Sequence, residues 1–117
     1  EMIRKKRGRI VVISSVSGQL GQAGQVNYSA SKAGLIGAAR ALAREVGRKN
    51  VLVNVVCPGV IETEMTTELS KEHILPLIPL NRYGTAEEVA AVVDFLCSEP
   101  KMYVHGQVIG VNGGMAT

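Results

Sequence analysis

The sequence is poor in aromatic residues and has no long apolar segment. Its 117 residues include no tryptophan, one phenylalanine and three tyrosines, so a core has to be built from valine, isoleucine, leucine and alanine. That composition favours parallel strands covered by helices over a disulfide-stapled or all-β module. No apolar run approaches the ~20 residues that a transmembrane helix needs, so no membrane span is expected.

Cysteine and histidine are also scarce. Cys57 and Cys97 form neither a disulfide framework nor a metal-binding pattern, so no metal site is predicted. Reduced thiols in the cytoplasm, or in an organelle matrix if the source is eukaryotic, are the favoured interpretation, and a disulfide stays open. Cys57 is predicted to be a small core residue. His73 and His105 lack a carboxylate partner in sequence and are predicted to be surface residues.

The net charge of +3 comes largely from a basic segment near the amino end, made of Arg4, Lys5, Lys6, Arg7 and Arg9. Such a segment is typical either of a docking patch or of a solvated helix end, where cations suit the negative end of the helix dipole. No recognised nucleic-acid motif accompanies it, so a nucleic-acid partner is not expected. An acidic protein partner remains open.

Periodicity and capping signals divide the chain into alternating strands and helices. The predicted strands are Arg9–Ile13, expected to be buried on both faces, Val51–Cys57 and Gln107–Val111. The predicted helices are Glu1–Lys6 (closed by Gly8), Tyr28–Gly47 (capped by Asn27), Lys71–Leu77, and the helix that a Thr85–Glu88 capping box opens and that runs to Ser98. Ser14–Val26 is predicted to be an active-site loop, and Val60–Pro79 a substrate lid.

The long predicted helix, Tyr28–Gly47, has two distinct kinds of surface. Its predicted buried stripe consists of Leu35, Ala38, Ala39, Leu42 and Val46. Its other faces carry unusually small residues, namely Ala30, Ala33, Gly34, Gly37 and Ala41. A helix-pairing interface is favoured for them, and high alanine content for helix propensity is the alternative.

Strand, helix and strand in this order make a right-handed βαβ unit. Ser15, the first helical turns and Pro58-Gly59 then meet at the carboxyl edge of the sheet, where open α/β sheets bind ligands.

Tyr28 and Lys32 are four residues apart and share a helix face. Because an ammonium group favours the phenolate form of a nearby phenol, such a pair can act as a general acid or base. Ser15 can supply a second hydrogen bond to a carbonyl oxygen, which predicts oxidation or reduction of a C–O bond.

These residues resemble the carboxyl-terminal half of a short-chain dehydrogenase/reductase. The matching segments are Ser15 with Tyr28-Ser-Ala-Ser-Lys32, Asn54-Val-Val-Cys-Pro58-Gly59-Val-Ile-Glu-Thr63, and Gly106-Gln-Val-Ile-Gly-Val-Asn-Gly113-Gly114. Within the family, Gly24–Gly37 and the Val60–Met65 run are most similar to the 3-oxoacyl-(acyl-carrier-protein) reductases. The resemblance implies a Rossmann-type doubly wound parallel sheet. Residues 1–117 would form its catalytic half, with about three parallel strands and flanking helices.

The resemblance also implies a role for each matching position. Tyr28 would donate a proton to the carbonyl oxygen, Ser15 would hold that oxygen, and Lys32 would favour the phenolate and bind the nicotinamide ribose. The remaining expected contacts are Pro58 and Gly59 with the nicotinamide ring, the Ile61 backbone and the Thr63 hydroxyl with its carboxamide, and Gln25 with the substrate. NADPH is the expected cofactor, with NADH as the alternative.

The implied reaction is reduction of a 3-oxoacyl thioester, carried on acyl carrier protein, in fatty-acid synthesis. The implied assembly is a homodimer or homotetramer, and Lys6, Arg7, Arg48 and Lys49 would attract the acidic carrier. Two alternatives stay open: a reductase of another secondary alcohol or ketone, such as a sugar or steroid, and an inactive truncated oligomerisation module.

The sequence departs from the family pattern in two respects. No strand–glycine–helix unit that would bind the pyrophosphate of a dinucleotide occurs in it, nor does the asparagine that the family uses with serine, tyrosine and lysine. We therefore expect an absent amino-terminal dinucleotide-binding half to complete the fold. Left bare, the Arg9–Ile13 strand would be an apolar edge that recruits another chain, and the isolated polypeptide is predicted to be inactive.

Overall fold

The computed structural model describes residues 1–64 and 71–117, and its centre is a sheet of three parallel strands. The strands lie in the order β1–β2–β3, with β1 at Gly8–Ile13, β2 at Val51–Pro58 and β3 at Val108–Val111. Gly8 pairs with Val51 at one end of the sheet, and Pro58 pairs with Val111 at the other. The predicted α/β class with three parallel strands and flanking helices is confirmed.

The middle strand forms the centre of the core. Every residue from Val51 to Cys57 in β2 is buried, including Asn54, whose amide group bonds to the Val104 carbonyl and the Gln107 amide. Five of the six residues of β1 are only half-buried, and Ile13 is 44% exposed. The prediction that this first strand is buried on both faces was therefore wrong, because β1 lies at one edge of the described sheet.

The long helix α3 (Val26–Val46) crosses from β1 to β2 and covers the sheet. Gln25 is the residue before its first turn, so the predicted cap at Asn27 was wrong. Its buried residues are Ile36, Ala39, Ala43 and Val46. The predicted stripe was correct at Ala39 and Val46 and wrong at Leu35 and Ala38, which are exposed, while Leu42 is half-buried.

The small-residue faces of α3 stay open in the structure. A Cβ atom added at Gly34 or at Gly37 would meet no other atom within 4 Å. Space for a partner helix therefore exists at both positions, and the helix-pairing interface remains a prediction.

A short helix, α2 (Val16–Leu20), occupies the segment that was predicted to be a loop. Ser15 is its N-cap, because the Ser15 hydroxyl oxygen accepts a hydrogen bond from the Ser17 amide at 3.1 Å. The interpretation of Ser14–Val26 as a loop without a helix was wrong. Five residues are too few to produce a recognisable periodicity, whereas a serine N-cap is a strong local signal.

The remaining helices agree with the predictions, except at the carboxyl end of the first helix. They are α1 (Met2–Lys5), α4 (Lys71–Ile74, continued by a 3-10 turn at Leu75–Leu77) and α5 (Ala86–Ser98). The Thr85–Glu88 capping box of α5 is confirmed. Lys6, with φ 52°, ends α1, and Gly8 begins β1; a Cβ at Gly8 would lie 2.5 Å from the Met2 sulfur. Gly8 thus packs against the Met2 side chain as the first residue of β1 and does not cap the helix.

Two further points concern the predicted lid and the expectation of no membrane span. Residues 65–70 of the predicted lid Val60–Pro79, with Met65 of the family-like segment, lie outside the described residues. Among the helices that the structure describes, none combines the length and the hydrophobicity that crossing a bilayer requires.

His105 is not a surface residue, contrary to the prediction. It is half-buried before β3, where its Nδ1 accepts a hydrogen bond from the Val53 amide at 3.1 Å. Its Nε2 lies 2.8 Å from the carbonyl oxygen of Ala43 in α3. The imidazole therefore links the central strand to the covering helix.

Candidate active site

Ser15 lies immediately beyond the carboxyl end of β1. The Ser14 amide donates to the Val56 carbonyl at 2.9 Å and so extends the β1–β2 hydrogen bonding by one residue. The chain then turns into α2, and Ser15 is half-buried as its N-cap. Because a hydroxyl has one donor and two acceptor sites, the Ser15 hydroxyl can still donate a hydrogen bond while it accepts one from Ser17.

Tyr28 and Lys32 share one face of α3, as the spacing predicted. The Lys32 ammonium nitrogen lies 5.6 Å from the centroid of the Tyr28 ring. The phenol is 46% exposed and Lys32 is half-buried. An ammonium group over an aromatic face is an attractive arrangement in its own right. The pair thus presents a phenol and a cation together to a ligand-accessible surface.

Direct contact between α2 and α3 joins the two parts of the site. The Ser14 hydroxyl donates to the main-chain carbonyl of Lys32 at 2.7 Å. Gly18 of α2 lies so close that an added Cβ would be 2.8 Å from the Lys32 Cβ. The end of β1, the start of α2 and the Tyr28–Lys32 turn are therefore one packed unit.

The predicted nicotinamide contacts begin at Pro58, the last residue of β2, at the same carboxyl end of the strands as Ser15. Pro58 pairs with Val111, and the Gly59 amide donates to the Val111 carbonyl at 2.9 Å. A Cβ at Gly59 would lie 2.8 Å from Asn112 Cα, so close packing on β3 already requires glycine there. Ile61 forms a parallel bridge with Gly84.

Thr63 and Gln25 are the remaining predicted contacts. Thr63 is exposed two residues beyond the Ile61 bridge, at the end of the described segment. Gln25 is exposed at the amino end of α3, three residues before Tyr28. Both positions are open to solvent, and their contacts with cofactor and substrate remain predictions.

An apolar cleft of about 360 Å³ opens beside α2. Its largely aliphatic lining comes from four parts of the chain, namely Val16 and Leu20 of α2, Val60 after β2, Ile74 and Leu77 of α4 and its 3-10 turn, and Met115 after β3. The cleft is therefore suited to hydrocarbon rather than to a polyhydroxylated ligand.

Cys57 sits under the site and is inert. It is fully buried in β2, as predicted, and burial raises the pKa of its thiol despite hydrogen bonding by Ser14 and the Ser15 backbone. The nucleophilic form of cysteine is the thiolate, so a buried protonated thiol is not a candidate nucleophile.

Comparison with known proteins identifies the family. A family model described as enoyl-(acyl carrier protein) reductase matches residues 1–116, nearly the whole chain. The chain belongs to the short-chain dehydrogenase/reductase family. The predicted resemblance to this family, and to its 3-oxoacyl-(acyl-carrier-protein) reductases, is confirmed.

Three relatives illustrate the match. The chain is 58% identical to the 3-oxoacyl-(acyl-carrier-protein) reductase of Aquifex aeolicus over 98% of its own length and 48% of the relative's. It is 50% identical to the Escherichia coli K12 protein of the same name, over 97% and 48% of the two chains. Nodulation protein G of Rhizobium meliloti is also 50% identical, over 99% and 49%. The chain spans about half the length of these curated relatives.

A group of basic residues in this short-chain dehydrogenase/reductase lies at the opposite end of the strands from Ser15. The Asn50 side chain donates to the Lys6 carbonyl at 3.3 Å, so the end of α1 adjoins the turn at Gly47–Lys49. This brings together the predicted carrier-binding residues Lys6, Arg7, Arg48 and Lys49, all of which are exposed. They precede the amino ends of β1 and β2, whereas Ser15 follows a carboxyl end.

Two residues at the site were not singled out by the sequence reasoning. Ser14 and Gly18 were assigned only to the predicted active-site loop Ser14–Val26, although the Ser14 hydroxyl donates to α3 and Gly18 packs against Lys32. Strand alternation could have separated Ser14 from Ser15, because consecutive residues of a strand point to opposite faces.

Proposed function

We propose that the natural protein containing this chain reduces a 3-oxoacyl thioester, carried on acyl carrier protein, to the 3-hydroxyacyl form with NADPH. The observation that carries the proposal is the Lys32 ammonium 5.6 Å from the exposed Tyr28 ring, in the unit that also contains Ser15. The relatives named 3-oxoacyl-(acyl-carrier-protein) reductases, at 50–58% identity, support this choice of substrate.

The proposed chemistry divides the work among three side chains. The Tyr28 hydroxyl donates its proton to the ketone oxygen as the carbonyl carbon accepts hydride, which leaves an alcohol and a phenolate. The Ser15 hydroxyl donates a hydrogen bond to the same oxygen and stabilises the charge that develops on it. The Lys32 ammonium stabilises the phenolate electrostatically until solvent returns the proton.

A nicotinamide cofactor supplies the hydride when it is bound. The described residues suit it: half-buried Pro58, Gly59 and Ile61 offer an uncharged surface after β2, and Thr63 offers a hydroxyl for a carboxamide. In this proposal, residues outside these 117 bind the pyrophosphate and adenosine. NADPH is proposed over NADH by family likeness.

Two other substrates compete with a 3-oxoacyl thioester. The family description names an enoyl substrate, and the thioester carbonyl oxygen of such a substrate can also accept hydrogen bonds from the Ser15 and Tyr28 hydroxyls, so the assay with crotonyl thioester distinguishes the two. A sugar would place hydroxyl groups against the aliphatic residues of the 360 Å³ cleft and leave them unpaired, which costs free energy. The cleft therefore favours a substrate with a hydrocarbon chain, and the relatives named 3-oxoacyl-(acyl-carrier-protein) reductases favour a ketone as the group that is reduced.

The test is a spectrophotometric assay of the natural protein with acetoacetyl and crotonyl thioesters, each with NADPH and with NADH. We expect oxidation of the nucleotide with the acetoacetyl thioester. In the Tyr28→Phe variant, kcat should fall by about 10²–10⁴-fold, the usual contribution of a general acid, while nucleotide affinity changes little. Tyr103, which is fully exposed, provides the matched control, since Tyr103→Phe should retain wild-type kcat. Reduction of crotonyl thioester alone, or full activity in Tyr28→Phe, would refute the proposal.

For the carrier protein, we propose docking on the basic cluster formed by Lys6, Arg7, Arg48 and Lys49. Because β1 has six residues of ~3.3 Å rise, about 20 Å of sheet separates the cluster from Ser15, and the thioester must span that distance or enter a neighbouring copy. Reversal of Lys6 and Lys49 to glutamate should raise KM for carrier-bound substrate and spare KM for a small ketone. Equal KM values for carrier-bound substrate in variant and wild type would contradict docking there.

A further inference from the structure

The buried hydroxyl of Ser14 has a role distinct from that of Ser15. Ser14 is 4% exposed, and its Oγ donates to the main-chain carbonyl of Lys32 at 2.7 Å. In a regular helix that carbonyl also accepts from the amide four residues later, and its two lone pairs permit both bonds. The hydroxyl is therefore an additional tether on the turn of α3 that carries the Tyr28–Lys32 pair.

Gly18 buries this tether. A Cβ added there would lie 2.8 Å from the Lys32 Cβ, 2.9 Å from the Lys32 carbonyl carbon and 2.9 Å from the Ser14 hydroxyl oxygen. The backbone of α2 thus covers the hydrogen bond directly, which shields it from water. A hydrogen bond in such a low-dielectric environment is stronger than one exposed to solvent.

Ser14 is equally well fixed on the strand side. Its amide donates to the Val56 carbonyl of β2 at 2.9 Å. One residue therefore connects both strands to α3, and Ser15 is covalently attached to it.

We infer that Ser14 is a positioning residue of the reductase site, and that its hydroxyl fixes the Tyr28–Lys32 turn relative to Ser15. The inference rests on the proposed function, because the geometry it maintains is that of the proposed proton donor and oxyanion donor. A misplacement of about 1 Å between reacting groups can lower a rate by about 10²-fold. A tether at this junction can therefore affect kcat without touching the substrate.

The experiment compares Ser14→Ala with Ser98→Ala in the natural protein. Ser98 is the control because its hydroxyl also donates to a main-chain carbonyl of a helix, that of Asp94 in α5, and it is exposed at the carboxyl end of that helix. We expect kcat to fall by about 10–100-fold in Ser14→Ala, with KM unchanged, and to change less than about threefold in Ser98→Ala. Amide hydrogen exchange in the first two turns of α3 should accelerate in Ser14→Ala and not in the control.

A double-mutant cycle separates positioning from general destabilisation. If Ser14 acts through the Tyr28–Lys32 turn, Ser14→Ala should cost less than about twofold in kcat in a Tyr28→Phe background, where the proton donor is already missing. The same 10–100-fold loss in that background, or equal α3 exchange in Ser14→Ala and Ser98→Ala, would overturn the inference. Absence of ketone reduction by the wild type would instead overturn the proposed function, and hydrogen exchange would still decide whether Ser14 tethers α3.

Discussion

Replacement of His105 by leucine should destabilise the fold without touching the proposed active site. The imidazole accepts a hydrogen bond from the Val53 amide and lies within hydrogen-bonding distance of the Ala43 carbonyl. Val53 is fully buried in β2, and its own carbonyl accepts from the Gly106 amide at 2.7 Å. In a longer β3, a main-chain carbonyl would accept the hydrogen bond of the Val53 amide. His105 Nδ1 takes the place of that carbonyl.

The magnitude follows from the two bonds. Loss of Nδ1 leaves a buried amide without this acceptor, which costs about 1–3 kcal/mol. The Ala43 carbonyl retains the Gly47 amide as a donor, so loss of its bond to Nε2 costs only about 0.5–1.5 kcal/mol. Leucine in this half-buried position recovers about 1 kcal/mol by apolar burial. We therefore expect the free energy of unfolding to decrease by about 2 kcal/mol.

Denaturant unfolding of the natural protein measures this change, with His73→Leu as the control because His73 is exposed. His105→Gln, whose amide offers both an acceptor and a donor, should lose less stability than His105→Leu. Amide exchange at Val53 should accelerate in His105→Leu. A midpoint equal to that of wild type, or an equal loss in the His73 control, would refute the assigned role of the imidazole.

Two further predictions concern an ion pair and two glycines. Hydrogen bonds from Arg82 lower the pKa of Glu88 from 4.5 to about 2, so the carboxylate stabilises the fold fully above pH 4.5 and this contribution is lost as the pH falls towards 2. The unfolding free energy of Arg82→Gln should therefore fall less steeply than that of wild type over this range, and parallel curves would contradict the assignment. Gly18→Ala should destabilise by about 1–3 kcal/mol because its Cβ would overlap Lys32, whereas Gly37→Ala, in open space within α3, should stabilise by roughly 0.5–1 kcal/mol. Unfolding measurements that give the same sign for both would refute the packing argument.

The sheet and the last helix were predictable because their signals are local. Arg9–Ile13 is a nearly continuous β-branched run and Val51–Cys57 is rich in valine, and the structure begins and ends these strands within one residue of the predicted limits. The capping box at Thr85 uses two residues three positions apart, so the sequence alone determines where α5 begins.

The face of α3 that packs on the sheet was harder to predict. Hydrophobicity favoured Leu35 and Leu42, whereas the structure buries Ile36 and Ala43, one position further along. Alanine allows the helix backbone to approach β2 closely, and pattern reasoning undervalues that steric benefit because it ranks residues by hydrophobicity.

His105 was mispredicted for a different reason. Its partners are main-chain atoms of Val53 and Ala43, which lie 52 and 62 residues away in sequence. Main-chain donors and acceptors exist at nearly every residue and carry no side-chain signature. Sequence patterns therefore cannot reveal which of them a histidine will meet, and the absence of a nearby carboxylate was a poor guide to its environment.

The sequence also could not assign separate roles to the two consecutive serines at the end of β1, whereas the structure does. Either hydroxyl has the chemistry to bind a carbonyl oxygen. Ser14, however, faces inward and donates its proton to the Lys32 carbonyl, so it can donate to a substrate only by breaking a buried hydrogen bond. Ser15 uses an acceptor site for the Ser17 amide and retains its proton for a ligand. In a Ser15→Ala variant we therefore expect kcat to stay low, because Ser14 cannot donate its one proton both to the Lys32 carbonyl and to the substrate; wild-type kcat in that variant would contradict this division of roles.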